Sequence, residues 1–191
     1  MGYTTGPFTV SSTAQPALRH GVFFSVWQRG PGRPWKVLID AGITTPGPVD
    51  FAALGGAPRP HFTGRANVAV ERRRLLEAES TGFGNAAAGI TPNAFAQHAA
   101  ADVRLHREGT APVASRATVA PAVARSMSRV TWTPIDARMS AAADMAFTYG
   151  SYRETDHDQH VSEGYYAHLW LRDKAGVWQL AYDIALPASP R

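Results

Sequence analysis

The chain has 191 residues, 45% of them hydrophobic, with a formal net charge of +4 and no cysteine. That suits one large domain, or a domain plus a fragment, and excludes disulfides, thiolate metal sites and a cysteine nucleophile. No run approaches the ~18–20 apolar residues of a helical membrane span and no signal-peptide pattern is visible, so no membrane partner is expected and localisation stays open.

Residues 8–10, 21–29 and 35–40 carry β-branched and aromatic residues, with turn-forming QP and RGPGRP between them. Val22, Phe24 and Val26 alternate with Phe23, Ser25 and Trp27, so this strand should be covered on both faces. The stretch 47–64 is rich in Pro, Gly and Ala and reads as a flexible linker. From Arg65 the pattern turns helical, with Val68, Leu75, Leu76 and Phe83 as the apolar stripe and Arg and Glu opposite. Within it Arg72-Arg73-Arg74 sits beside Glu71 and Glu77, a solvated helix face rather than a nucleic-acid patch. Thr91-Pro92 is a helix start, with Thr as N-cap and Pro at the first helical position, for a helix ending near His98. A strand over 102–108 ends at Gly109, and Ser115 opens a third helix in which Pro121 distorts the first turns. Four strands follow at about 129–139, 144–155, 162–172 and 177–186.

The beginning and the end of the chain match. MGYTTGPF (1–8) reads against MAFTYGSY (145–152), and Gly21, Trp27, Trp35 and Asp40 correspond to Gly164, Trp170, Trp178 and Asp183 with equal Trp–Trp and Trp–Asp spacings. The expected organisation is a partial repeat over 1–46, a linker over 47–64 and a complete domain over 65–191. The fold class expected is α+β: a curved antiparallel sheet, three helices on its concave face and a pocket between them, plus the N-terminal β-meander.

The segment ADMAFTYGSYRETD…GYYAHLWLRDKAGVWQLAYDIALP resembles the C-terminal half of a SnoaL-like bacterial family within the nuclear transport factor 2-like superfamily, through Tyr149, Gly150, Tyr166, Trp170, Gly176, Trp178 and Asp183. Upstream, LLEAES is similar to the family's first helix and AAADVRLHREG to its first strand. The resemblance implies a ketosteroid isomerase-like cone that often dimerises through its sheet, here as a homodimer or as a pseudo-dimer within one chain. It also implies a small hydrophobic molecule as ligand. Superfamily enzymes move a proton next to a carbonyl, using a carboxylate or His base in an apolar pocket. Where the superfamily often has an acidic pair, this chain has Ala101 and a single Asp102, with His106 or Arg107 at the later position.

The candidate catalytic groups are therefore His106, His168 and Tyr149, with Asp102, Trp132, Tyr166 and Trp170 as ligand-binding candidates. Tyr166, His168 and Trp170 share one strand face, with His168 read as incompletely buried and removable without loss of the fold. Asp183, which recurs as Asp40 in the partial copy, reads as structural. The DHDQH turn (156–160) reads as a polar hairpin with no metal, and no cofactor is expected. Two functions are open: a lyase, isomerase or cyclase acting on a carbonyl compound, or a non-catalytic ligand-binding or assembly module. The first requires a base and a donor converging within about 3–6 Å of one apolar cavity, and falls if His106, Tyr149 and His168 point apart.

Overall fold

In the computed structural model, residues 1–13, 17–81, 92–126 and 129–188 are described; Phe83 and Thr91 lie outside them. Strands β1 (Gly2–Val10), β2 (Arg19–Gln28) and β3 (Lys36–Thr45) form a three-stranded antiparallel sheet. Helix α1 (Val68–Ser80) follows, capped by the Asn67 side chain, which accepts from the backbone N–H of Ala69 and Val70. Helix α2 (Pro92–His98) leads directly into β4 (Ala99–Arg107). After the short β5 (Val113–Ala114) come α3 (Arg116–Ser126), β6 (Arg129–Met139), β7 (Met145–Thr155), β8 (Val161–Arg172) and β9 (Trp178–Pro187). The second sheet runs β5-β4-β9-β8-β7-β6.

This is the α+β layout expected, with one correction. The six-stranded sheet is mixed, because β4 and β9 pair in parallel. A parallel pair cannot be closed by a hairpin and needs a long crossover, which α3 and the β6–β7–β8 run supply.

The two meanders share their registers. Thr4 pairs with Ser25 and Ser25 with Asp40; Thr148 pairs with His168 and His168 with Asp183. Even the irregularity recurs, between Val26 and Trp27 in one and between Leu169 and Trp170 in the other. Equal spacing preserves face as well as register, since a one-residue slip would invert every side chain.

The smaller sheet lies with one face against the larger. Val22, Phe24 and Val26 are fully buried, and the Phe24 ring stacks on Tyr182 at 4.8 Å. The other face of β2 does not have the cover that its composition implied: Phe23 and Trp27 stay half-buried, and Asp40 on the neighbouring strand is exposed. The alternating pattern specified bulk on both faces, but among the described residues only one face has a partner layer.

Residues 47–64 are not the free tether that their composition implied. Tyr3 Oη donates to the Pro58 carbonyl at 2.6 Å, and the His61 and Phe62 N–H groups donate to the Arg172 carbonyl. Arg104, itself buried, donates to the carbonyls of Gly55 and Gly56 at 2.6 and 3.0 Å. Backbone polar groups that a Pro/Gly-rich segment cannot pair within itself are taken up by the sheet it crosses.

Candidate functional site

The face of β8 that carries Tyr166, His168 and Trp170 meets α1. Glu71, Leu75 and Glu79, four residues apart, form that helix's buried side. The sequence pattern had put the acidic residues on the solvent side. Here Glu71 accepts from Trp178 Nε1 at 3.0 Å, and Glu79 is fully buried.

Glu79 collects four donors. Tyr166 Oη donates to Oε2 at 2.6 Å, while His168 Nδ1 and Trp170 Nε1 each lie 2.9 Å from Oε1, which also accepts from the Thr148 hydroxyl. All five side chains are buried. A carboxylate removed from water is tolerable only with its lone pairs filled, and these donors fill them. Trp132 closes the space, edge-on to the His168 ring at 4.3 Å, with Phe95 behind it at 6.2 Å.

On its other side His168 Nε2 faces Asp183 Oδ1 at 3.5 Å. Asp183 accepts a two-pronged contact from Arg107, at 2.9 Å (Nη1) and 2.7 Å (Nη2). Burial by itself would lower the His168 pKa, but the two carboxylates outweigh it and raise it to about 9. Burial would raise Asp183, but Arg107 and His168 hold it well below the usual carboxylate range. Arg107, Asp183, His168 and Glu79 thus form a chain of alternating charge.

Arg107 is where this chain reaches a cavity. About 650 Å³ opens at the wide end of the cone, walled by Leu105, Val113, Tyr152 and Ala185, by the polar Glu108, Arg125, Glu154 and Ser162, and by Arg107, whose side chain is 20% exposed. Thr44 of β3 also touches it and grips the rim: its backbone N–H donates to Glu108 at 3.0 Å, and its hydroxyl donates to the same carboxylate.

The sequence candidates fall in separate places. His168, Tyr166, Trp170 and Trp132 come together, buried around Glu79. His106 is buried between the two sheets, its Nε2 3.1 Å from the Tyr182 hydroxyl. Burial, reinforced by Arg104 and Arg107, pushes its pKa down to about 3. Tyr149 lies on the opposite face of β7 from Thr148, stacked on Phe147 at 5.8 Å, and Asp102 is exposed on β4. None of the three proposed catalytic residues lines the cavity. His168 is also fully buried rather than partly exposed, and removing it would leave the Glu79 carboxylate without its cationic partner.

Glu79 was missed, and Asp183 was read only as structural. A signal for an acceptor was present: three donor-bearing side chains alternate on one face of β8, and burying them requires one. In the DHDQH turn, the Asp156 carboxylate accepts from the backbone N–H of Asp158 and His160, both at 2.9 Å. It also meets the His160 ring at 3.2 Å. These contacts brace the hairpin, and the side-chain ligand atoms of Asp156, Asp158 and His160 lie within 4.8 Å of one another.

No protein-family model matches this chain, and no curated protein matches it. Solved structures do. A ketosteroid isomerase-like protein from Erwinia carotovora atroseptica is 20% identical over 64% of this chain and 97% of its own, with a TM-score of 0.48. A candidate dehydratase of the NTF2-like family from Streptomyces avermitilis is 14% identical over 64% and 97%, with a TM-score of 0.45. A candidate SnoaL-like polyketide cyclase from Jannaschia sp. is 8% identical over 66% and 91%, at 0.43. These three are described as a ketosteroid isomerase-like, an NTF2-like and a SnoaL-like protein, and at such identities and TM-scores none of them carries an argument about this chain's activity.

Proposed function

We propose that this chain binds a small amphipathic molecule in the cavity at the wide end of the cone, and that it does so without proton-transfer catalysis by its buried histidines. The observation that carries the reading is the position of Arg107, fixed by the fully buried Asp183 and partly exposed in a cavity whose wall combines the apolar surface of Leu105, Val113, Tyr152 and Ala185 with the charged Glu108, Arg125 and Glu154. The volume of about 650 Å³ suits a small organic ligand. The apolar wall takes its body, and a guanidinium already held in place takes its carbonyl or carboxylate with little further loss of side-chain freedom.

The buried histidines are poor bases in this arrangement. Both ring nitrogens of His168 face carboxylates, so the imidazolium is the favoured form and no lone pair is left to take a proton. His106 is neutral but is enclosed between the sheets.

The test is a thermal-shift panel of small ketones, steroids and aromatic acids, repeated on Ser162→Trp, which fills the cavity from its wall. A compound at 100 times its Kd stabilises the parent by about 2.7 kcal/mol and should do nothing for the variant. Equal stabilisation of both proteins would remove the cavity from the proposal. Turnover of a bound carbonyl compound, lost in a folded His168→Gln variant that still binds it, would restore the enzyme reading.

A further inference from the structure

The second meander shows what normally covers this arrangement of strands, and the first meander repeats the arrangement uncovered. Trp27 Nε1 donates to Thr4 Oγ1 at 2.9 Å, as Trp170 Nε1 donates to Thr148 Oγ1 at 3.0 Å. Ser25 donates to Asp40 at 2.6 Å, where His168 faces Asp183. A methyl group on Gly21 would collide with Phe8, as one on Gly164 would with Tyr152, so an aromatic ring lies over the equivalent glycine in both.

In the second meander α1 lies across this face, with Glu71 on Trp178 Nε1, Leu75 buried, and Glu79 on Trp170 Nε1. In the first, Trp35, the counterpart of Trp178, is 48% exposed and Leu38 is 38% exposed. Phe8, Phe23 and Trp27 are half-buried. The charge around this face is one-sided: residues 1–46 contain Arg19, Arg29, Arg33 and Lys36 against a single carboxylate, Asp40. Arg29 lies over the Trp35 ring at 5.0 Å, at the edge of the open surface.

We propose that the open face of the β1–β2–β3 sheet docks an acidic amphipathic helix of a partner polypeptide, one that presents Glu, an apolar residue and Glu at successive four-residue spacings. The two Glu take the indole N–H groups of Trp35 and Trp27, the apolar residue lies between them, and further acidic residues on the helix flanks meet Arg29, Arg33 and Lys36. The chain's own α1 is already committed to the second meander.

The probe is a fluorescein-labelled, lactam-stapled peptide with the sequence of residues 67–81, titrated with the full chain and read by anisotropy. Saturable binding is expected, weakened about tenfold or more by Trp35→Ser in the chain and, independently, by replacing both Glu71 and Glu79 of the peptide with Gln. Tyr165→Ser, on the exposed outer face of the larger sheet, should change nothing. The peptide variants leave the protein intact, so the test survives any loss of folding in Trp35→Ser. Absence of saturable binding, or binding indifferent to the Glu replacements, overturns the proposal. So does binding indifferent to Trp35→Ser, which would locate the peptide at the α1 site. A dimer in sedimentation runs that Trp35→Ser dissociates would show a second copy to be the occupant, with the same consequence.

Discussion

The two meanders use one set of strand pairings under opposite conditions. The first leaves Thr4, Trp27 and Asp40 at or near solvent, and the second buries Thr148, Trp170 and Asp183 beneath α1. Where the face is open, position 25 is Ser and position 23 is Phe. Where it is covered, the corresponding residues are His168 and Tyr166, and Glu79 arrives to accept their hydrogen bonds. Register came from the spacing of the residues, whereas the polar chemistry came from the cover, because only a buried donor or charge demands a buried partner. Trp170→Ala and Trp27→Ala test this most strongly. The first leaves a cavity and strips a donor from Glu79, and should cost about 3–5 kcal/mol. The second should cost about 1 kcal/mol or less. Urea midpoints with unchanged m-values decide it, and equal losses would mean that the first meander is as firmly packed as the second.

The next effect depends on pH and belongs to the covered meander. The folded pKa of His168, about 9, lies above its free value of 6.5. Its stabilising contribution is therefore fully present below about pH 6.5 and is lost as pH rises through about 9. The folded pKa of Asp183 lies below the free value of 3.8, so its contribution is present above that value and fades as pH falls through the depressed one. His106, pushed down to about 3, works in the opposite sense to His168: protonation of the unfolded chain below 6.5 removes stability. Between about pH 7 and pH 9.5 the urea midpoint of the parent should fall, and that of His168→Gln should start lower and stay flatter. Parallel curves would assign the alkaline loss to some other group.

How much of this was legible in the sequence depended on whether a residue's environment was local. Strand limits and the stop at Gly109, where φ is +72°, follow from alternation and glycine chemistry over a few residues. The convergence of Tyr166, His168 and Trp170 followed from two-residue spacing alone. The burial of Glu79 did not, because α1 carries Arg and Glu on several sides and its apolar stripe is weak. Which acid faces inward is set by the donors waiting on β8, 87 to 91 positions away. His106 alternates as expected, but the layer it faces is the N-terminal sheet, and no local pattern specifies which side of β4 that sheet covers. The Arg107–Asp183 pair likewise joins strands that meet only through the parallel β4–β9 contact.

The smallest expected effect gives the sharpest form of the comparison. Asp40 and Asp183 occupy the same register position in their meanders, and each meets the residue opposite on the neighbouring strand. Asp183 is fully buried between Arg107 and His168, so Asp183→Ala leaves Arg107 without its counter-charge and His168 with Glu79 alone, and should cost about 3–5 kcal/mol. Asp40 is exposed and accepts one hydrogen bond, from the Ser25 hydroxyl. Water can replace that bond, so Asp40→Ala should move stability by no more than about 1 kcal/mol in urea titration. A larger loss would mean that Asp40 is covered in solution by something that the isolated chain does not supply. Repeating the titration with the helical peptide of residues 67–81 present would then show whether that cover is the docked helix, because the Asp40→Ala penalty should grow only when the peptide is bound.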